Sequence, residues 1–281
     1  MADRPGPPGP ASATPDAHTV ARALVTGASG GLGADIAREL AARGTPLVLT
    51  ARSREPMEAL ARELGTAHGV PVLVLALDLA TPDAGNRLAD EVEAAGVEVD
   101  LLVNNAGFGQ WGPWPGLDPE QEAGMIRLNV EALTCLTRRF VPAMIRRGRG
   151  RVLNVASTAA FLPGPGMAVY YATKAYVLSF SEALAEELQG TGVTVTCLCP
   201  GPTPTGFQAR IGADPSALLR GAVLPSRTVA RAGVEGALKG RRLVVPGLLN
   251  KLTTLAPRFL PRSWVPKLVK RVQDGRAPTG S

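Results

Sequence analysis

Histidine is nearly absent: the chain has only His18 and His68. A Ser-His-Asp triad or a histidine-based metal site therefore has almost no material to draw on. Cysteine is scarce too. Cys135, Cys197 and Cys199 are too few for a disulfide scaffold, and the Cys197-x-Cys199 spacing is too short for the usual zinc knuckle. No metal is expected. Long apolar spans are also lacking. Two uncharged stretches of 22 residues, Val152–Thr173 and Leu188–Ala209, are broken by Pro163-Gly164-Pro165-Gly166 and Pro200-Gly201-Pro202. Neither reads as a continuous helix in lipid. The first 19 residues lack the apolar core of a signal peptide and, being rich in Pro, Ala and Gly, read as a disordered tail. These absences lead to the expectation of a cytoplasmic protein in a reducing compartment. With 45% hydrophobic and 19% charged residues, the composition is ordinarily globular.

The net charge is +6, yet Arg241–Ser281 alone carries nine Lys and Arg against one carboxylate, Asp274. The basic character belongs to the C-terminal segment rather than to the whole chain. A nucleic-acid binder more often carries its cations on a face with exposed aromatics, so no nucleic-acid partner is expected. Between Val244 and Gln273 the apolar residues Leu248, Leu249, Leu252, Leu255, Phe259, Leu260, Trp264, Val265, Leu268 and Val269 alternate with cations. Pro246, Pro257, Pro261 and Pro266 cut the stretch into short pieces. It reads as a lid or subunit contact with a solvated basic side. The alternative is weak contact with an anionic membrane surface.

From Arg22 onward, short apolar runs alternate with helical patterns. Residues 23–27, 46–51, 70–78, 99–105, 151–157, 193–199 and 241–245 read as strands. Leu32, Ile36, Ala37 and Leu40 recur at helical spacing, as do Met57, Leu60, Ala61 and Leu64. Further helical stretches fall near 82–95, 118–147, 168–189 and 227–238. Strands that are apolar on both faces and separated by helices predict a parallel sheet covered on each side. The expected architecture is a single doubly wound α/β domain of Rossmann type over residues 20–245, with a tail at 1–19 and a basic extension at 246–281.

The first strand runs into Thr26-Gly27-Ala28-Ser29-Gly30-Gly31-Leu32-Gly33 and then a helix. Glycines let the backbone turn sharply and approach a ligand, and free N–H groups at a helix start favour a phosphate. The candidates here are Gly27, Ser29, Gly30, Gly31, Leu32 and Gly33. After the second strand, Arg52 and Ser53 stand where an NAD site usually places a carboxylate, and a guanidinium there suits a 2′-phosphate. NADP(H) is therefore expected over NAD(H). Farther along, Tyr170 and Lys174 are four apart in a helical stretch and face one side. An ammonium near a phenol favours phenolate, and Ser157, 13 residues before Tyr170, can polarise a carbonyl. Tyr171, three residues from the lysine, competes with Tyr170 for the role.

These motifs, taken in order, resemble the short-chain dehydrogenase/reductase family over about residues 22–245. They are Thr26-Gly27-x-x-x-Gly31-x-Gly33, Asn104-Asn105-Ala106-Gly107, Asn129, Ser157, Tyr170-x-x-x-Lys174 and Pro200-Gly201-x-x-x-Thr205. The resemblance implies a catalytic tetrad of Asn129, Ser157, Tyr170 and Lys174. In it Tyr170 exchanges the proton and Ser157 holds the substrate oxygen. Lys174 grips the nicotinamide ribose and lowers the tyrosine pKa, while Asn129 anchors a relay water. It also implies that Asp78 and Leu79 flank adenine, that Asn105 lies behind the adenosine ribose with Ala106 and Gly107 also at the cofactor, and that Pro200, Gly201 and Thr203 surround the carboxamide. Gly30 stands where many NADP-preferring members carry a basic residue. Phe108, Trp111, Trp114, Phe161, Met167 and Phe207 lie after the carboxyl ends of strands, where an apolar substrate would bind. The expected activity is interconversion of an apolar aldehyde or ketone with its alcohol. Reduction of an acyl thioester or steroid-like ketone is the alternative within the family, and a regulatory or membrane-associated nucleotide binder the alternative outside it. A homodimer or homotetramer is implied.

Overall fold

Valine and leucine dominate the strand segments because both faces of each central strand are covered. The structure, a computed structural model, describes residues 20–206 and 222–274. Strands β1 (Ala23–Thr26), β2 (Leu47–Ala51) and β4 (Leu101–Asn104) are buried along their whole length. With β3 (Val72–Ala76), β5 (Gly150–Val155), β6 (Val193–Leu198) and β7 (Leu243–Val244) they form a parallel sheet, ordered β3-β2-β1-β4-β5-β6-β7 among the described residues.

Successive strand residues point to opposite faces, so each strand feeds two cores. Val25 and Leu49 pack beneath α1 (Gly31–Ala41), α2 (Arg54–His68) and α7 (Ser226–Leu238), against Ile36, Leu40, Met57 and Val234. Leu24, Val48, Leu102 and Val152 pack on the other side against Leu88 of α3 (Ala84–Ala94) and Leu136 of α5 (Leu133–Arg146). Helix α6 (Ala168–Glu187) lies on that second side, with Leu184 in contact. Each such buried side chain is worth about 1.5–3 kcal/mol. Strand order reverses between β1 and β4, which opens a crevice at their carboxyl ends.

Several boundaries correct the sequence reading. The segment read as a strand over 70–78 pairs only over Val72–Ala76, because its one partner, β2, ends at Ala51. The strand read to residue 105 stops at Asn104, since the Asn105 side chain turns back to bond the carbonyls of Thr26 and Gly27. The helical pattern over 118–147 is not one α-helix. α4 (Pro119–Ile126) starts at an Asp118 cap, whose carboxylate accepts from the Glu120 N–H at 2.9 Å. A π-turn over Arg127–Ala132 then joins it to α5. The C-terminal segment forms α8 (Leu248–Leu255), a 3₁₀ turn (Ala256–Phe259) and α9 (Val265–Asp274). Pro257 and Pro266 sit in first turns, where no N–H is needed. The described helices include none long and apolar enough to cross a membrane. Residues 1–19 and Phe207 lie outside the described part of the chain.

Candidate active site

The glycine turn is held by a lock across the sheet reversal. Thr26 Oγ1 accepts from the N–H groups of Asn105 and Ala106, at 3.0 and 2.9 Å, and donates to Val103 O at 3.2 Å. Asn105 Nδ2 donates to Thr26 O at 2.9 Å. Gly27 takes φ +67°, and a Cβ there would stand 2.9 Å from Ala106 Cα. A Cβ on Gly33 would strike the Gly27 carbonyl oxygen. The turn is therefore as close-packed as backbone allows, and the first-turn N–H groups of α1 are left without intrahelical partners.

From this turn a cavity of about 720 Å³ runs along the carboxyl ends of the strands to Tyr170. Each residue assigned to the nucleotide from the sequence borders it, from Gly27 through Arg52, Asp78 and Asn105 to Thr203. Arg52 is exposed at its rim, while Arg54 leans on Glu58 at 3.7 Å. A tight glycine cradle, a helix start and a long cleft together fit a dinucleotide.

At the far end, the turn after β5 and helix α6 present three of the four polar candidates, and the π-turn holds the fourth. Ser157, two residues beyond β5, accepts from the Ala159 N–H at 3.1 Å, which fixes its side chain. Tyr170 hydrogen-bonds Ser157. One helical turn on, Lys174 is buried and donates from Nζ to Val155 O at 2.9 Å. Its ammonium lies 5.8 Å from the centre of the Tyr170 ring. Asn129 sits in the π-turn and does not border the cavity. Its Nδ2 donates to Phe108 O at 3.0 Å and Thr173 Oγ1 at 3.1 Å, and its Oδ1 accepts from the Phe108 N–H at 3.2 Å. Gly107 joins the two. A Cβ on it would stand 3.0 Å from Asn129 Oδ1 and 3.3 Å from Lys174 Nζ.

Burial pushes the Tyr170 phenol above its ordinary value, and the Ser157 hydrogen bond draws it only partly back. Burial likewise lowers the Lys174 ammonium to about 8, partly offset by Cys197 and Cys199. Desolvation is the largest influence on the phenol, ahead of the Ser157 hydrogen bond. Tyr171 also borders the cavity, but its ring packs beneath Gly164 and edge-on to Tyr170, with centroids 6.1 Å apart.

The aromatic candidates divide. Phe108 and Met167 border the cavity. Trp111 does not, since it packs behind Met167 and Tyr171. Phe161 packs into a separate cluster with Ala160, Val177 and Cys199. Trp114 is 65% exposed in a 3₁₀ turn. In place of these aromatics, the C-terminal segment closes the cavity through Leu260, Val265, Leu268, Val269 and Val272. The i, i+3, i+4, i+7 spacing of Val265, Leu268, Val269 and Val272 in α9 was the available signal.

Asn250 is a second residue missed from the sequence. It is buried against Gly201, and its Nδ2 donates to Ala222 O at 3.1 Å and Pro246 O at 2.8 Å. A lone amide inside Leu248–Leu255 was its only sequence signature. Asn250→Ala strips both carbonyls of their donor and should cost about 1–3 kcal/mol, read as a lower urea midpoint; an unchanged midpoint would show that water replaces the amide. Beneath the site, Asn104 Nδ2 donates to Asn154 Oδ1 at 2.9 Å and Asn154 Nδ2 to Ser181 Oγ at 2.9 Å, tying β4 and β5 to α6. The described residues hold no cluster of three His, Cys, Asp or Glu fit for a metal.

Comparison with known proteins gives consistent matches. The short chain dehydrogenase family matches residues 21–216. Nodulation protein G of Rhizobium meliloti (strain 1021) is 40% identical over 181 residues, covering 64% of this chain and 72% of that one. The NADP-dependent 3-hydroxy acid dehydrogenase of Salmonella typhi is 39% identical over 184 residues, covering 63% of this chain and 71% of its own length. A short-chain dehydrogenase from Sphingobium yanoikuyae, solved in complex with NADPH, superposes with a TM-score of 0.76 at 30% identity. That match covers 92% of this chain and 98% of the other.

Proposed function

The chain belongs to the short-chain dehydrogenase family, and from that premise we propose that it reduces an apolar ketone or aldehyde at the expense of NADPH. It is an oxidoreductase of hydroxy and carbonyl compounds that uses a nicotinamide nucleotide. The observation carrying the finer reading is the Tyr170 phenol bonded to Ser157 at the end of the cavity that begins at the glycine turn.

The turn from Gly27 to Gly33 and the start of α1 would hold the pyrophosphate, with Asp78 and Leu79 beside the adenine and Asn105 behind the ribose. Bound there, the nicotinamide supplies the hydride. Tyr170 gives its proton to the carbonyl oxygen, and its raised pKa keeps it a proton donor at neutral pH. The Ser157 hydroxyl orients that oxygen. Lys174, one turn along α6, supplies positive charge when the phenol loses its proton, and the Val155 carbonyl aims its amine. Asn129, through Gly107 and Phe108, holds the loop that abuts the lysine. Met167, Leu162, Val265 and Val269 make the substrate end apolar.

The ammonium of Lys174, lowered to about 8 by burial, is the abundant form below that pH and is lost above it. Reduction leaves a phenolate that needs this charge, so kcat/KM for carbonyl reduction should fall as pH rises through about 8. A profile flat across that range would remove the lysine from the step. The direct test is NADPH consumption against a panel of apolar ketones, aldehydes and diketones, with NADH in parallel. Turnover with none of them, or preference for NADH, rejects the proposal.

A further inference from the structure

The segment that closes the cavity has an outer face unlike the rest of the surface. Among the described residues, seven of the twelve exposed large hydrophobics lie between Leu248 and Leu268. Phe259 is 85% exposed, Leu248 74% and Trp264 61%. Interleaved with them are six exposed cations, Lys251, Arg258, Arg262, Lys267, Lys270 and Arg271. No carboxylate occurs from Gly236 to Gln273, and among the described residues these six cations form no ion pair. A groove of about 330 Å³ on this face has Leu260, Trp264 and Leu268 as apolar walls, with Lys267 and Arg271 beside them. Apolar walls flanked by two cations suit an acyl chain under an anionic head group.

Three occupants compete for such a face. A second copy of this chain, paired about a twofold axis, would bring six cations against six, which like-charge repulsion opposes. An acidic protein would satisfy the charge but not the protruding Phe259 and Leu248, which sit on no concave apolar surface of their own. An anionic bilayer satisfies both. Short helices broken by prolines lie in an interface rather than span it, aromatic side chains settle at head-group depth, and cations meet phosphates.

We propose that residues 248–271 dock this protein on an anionic lipid surface, with Leu248, Phe259 and Trp264 inserted and the six cations at the head groups. The docking stands apart from the reaction proposed above. It places the apolar end of the cavity next to lipid, because Leu260 and Leu268 border both the cavity and the groove.

The test is co-sedimentation of the full chain with vesicles of phosphatidylcholine alone and of phosphatidylcholine mixed with phosphatidylglycerol. Six cations near an anionic surface should give a preference of roughly hundredfold or more for the mixed vesicles at low salt, largely lost at high salt. The double variant Leu248→Asp, Phe259→Asp changes two side chains that border neither cavity. It should weaken binding by at least about tenfold while retaining the wild-type circular dichroism and melting curve. Three results would overturn the docking: no pelleting with either vesicle, equal pelleting with both, or undiminished pelleting of the variant. A wild-type dimer in sedimentation velocity that the variant turns into monomer would reassign the face to self-association. Carbonyl reduction assayed without vesicles reports on the reaction separately, so either proposal can fail alone.

Discussion

Tyr170→Phe should lower turnover of a carbonyl substrate by about 10²- to 10⁴-fold, the usual scale for a positioned proton donor, while leaving the nucleotide affinity essentially unchanged. The substitution removes one oxygen and keeps the ring, so packing against Tyr171 and Met167 survives. The lost interaction is the hydrogen bond with Ser157, at the end of the cavity away from the glycine turn. Steady-state kinetics together with a fluorescence titration of NADPH separate the two effects. Turnover near wild type would strip Tyr170 of its role. Tyr171→Phe is the matched comparison, because that ring packs under Gly164. A larger loss there would transfer the chemistry to the neighbour.

Arg52→Ala should lower kcat/KM with NADPH by roughly 10- to 150-fold, the range of a hydrogen-bonded charge contact of about 1.5–3 kcal/mol. The value with NADH should move far less. Arg52 stands exposed at the cavity rim beyond β2, where a ribose 2′-phosphate would sit, and no carboxylate occupies the end of that strand. Gly30 adds no second cation and its position is open, since a Cβ added there would meet nothing within 4 Å. The proposed NADPH selectivity therefore rests on Arg52 and its neighbours. Gly30→Arg offers the reciprocal test and should raise the preference for NADPH. Equal losses with both nucleotides in Arg52→Ala would mean that the guanidinium meets a group common to the two.

Much of this fold is legible from local pattern. Apolar runs such as Leu101–Val103 and the helical recurrence of Leu32, Ile36 and Leu40 locate strands and helices, because burial on both sheet faces favours apolar side chains there. Where the pattern misleads, pairing is the reason. A strand is only as long as its neighbour allows, so β3 ends where β2 ends. The π-turn around Asn129 is invisible in periodicity, since one extra residue within a helical run changes the apolar spacing too little. At the site, the glycine turn and the Tyr170-Lys174 spacing can be read directly, because a helix fixes which residues share a face.

The sequence by itself determined the doubly wound sheet, the position of the glycine turn and the two members of the tyrosine–lysine pair. Each follows from interactions within a few residues or from a repeating backbone geometry. Tertiary structure alone decided which apolar side chains close the cavity, sending Trp111 and Phe161 into packing and bringing α9 over Tyr170 instead. It alone seated Asn250 against Gly201, nearly fifty positions away. The protonation preferences of Tyr170 and Lys174 were decided at that level too. Desolvation depends on every segment packed around a group, and those segments come from parts of the chain far apart in sequence.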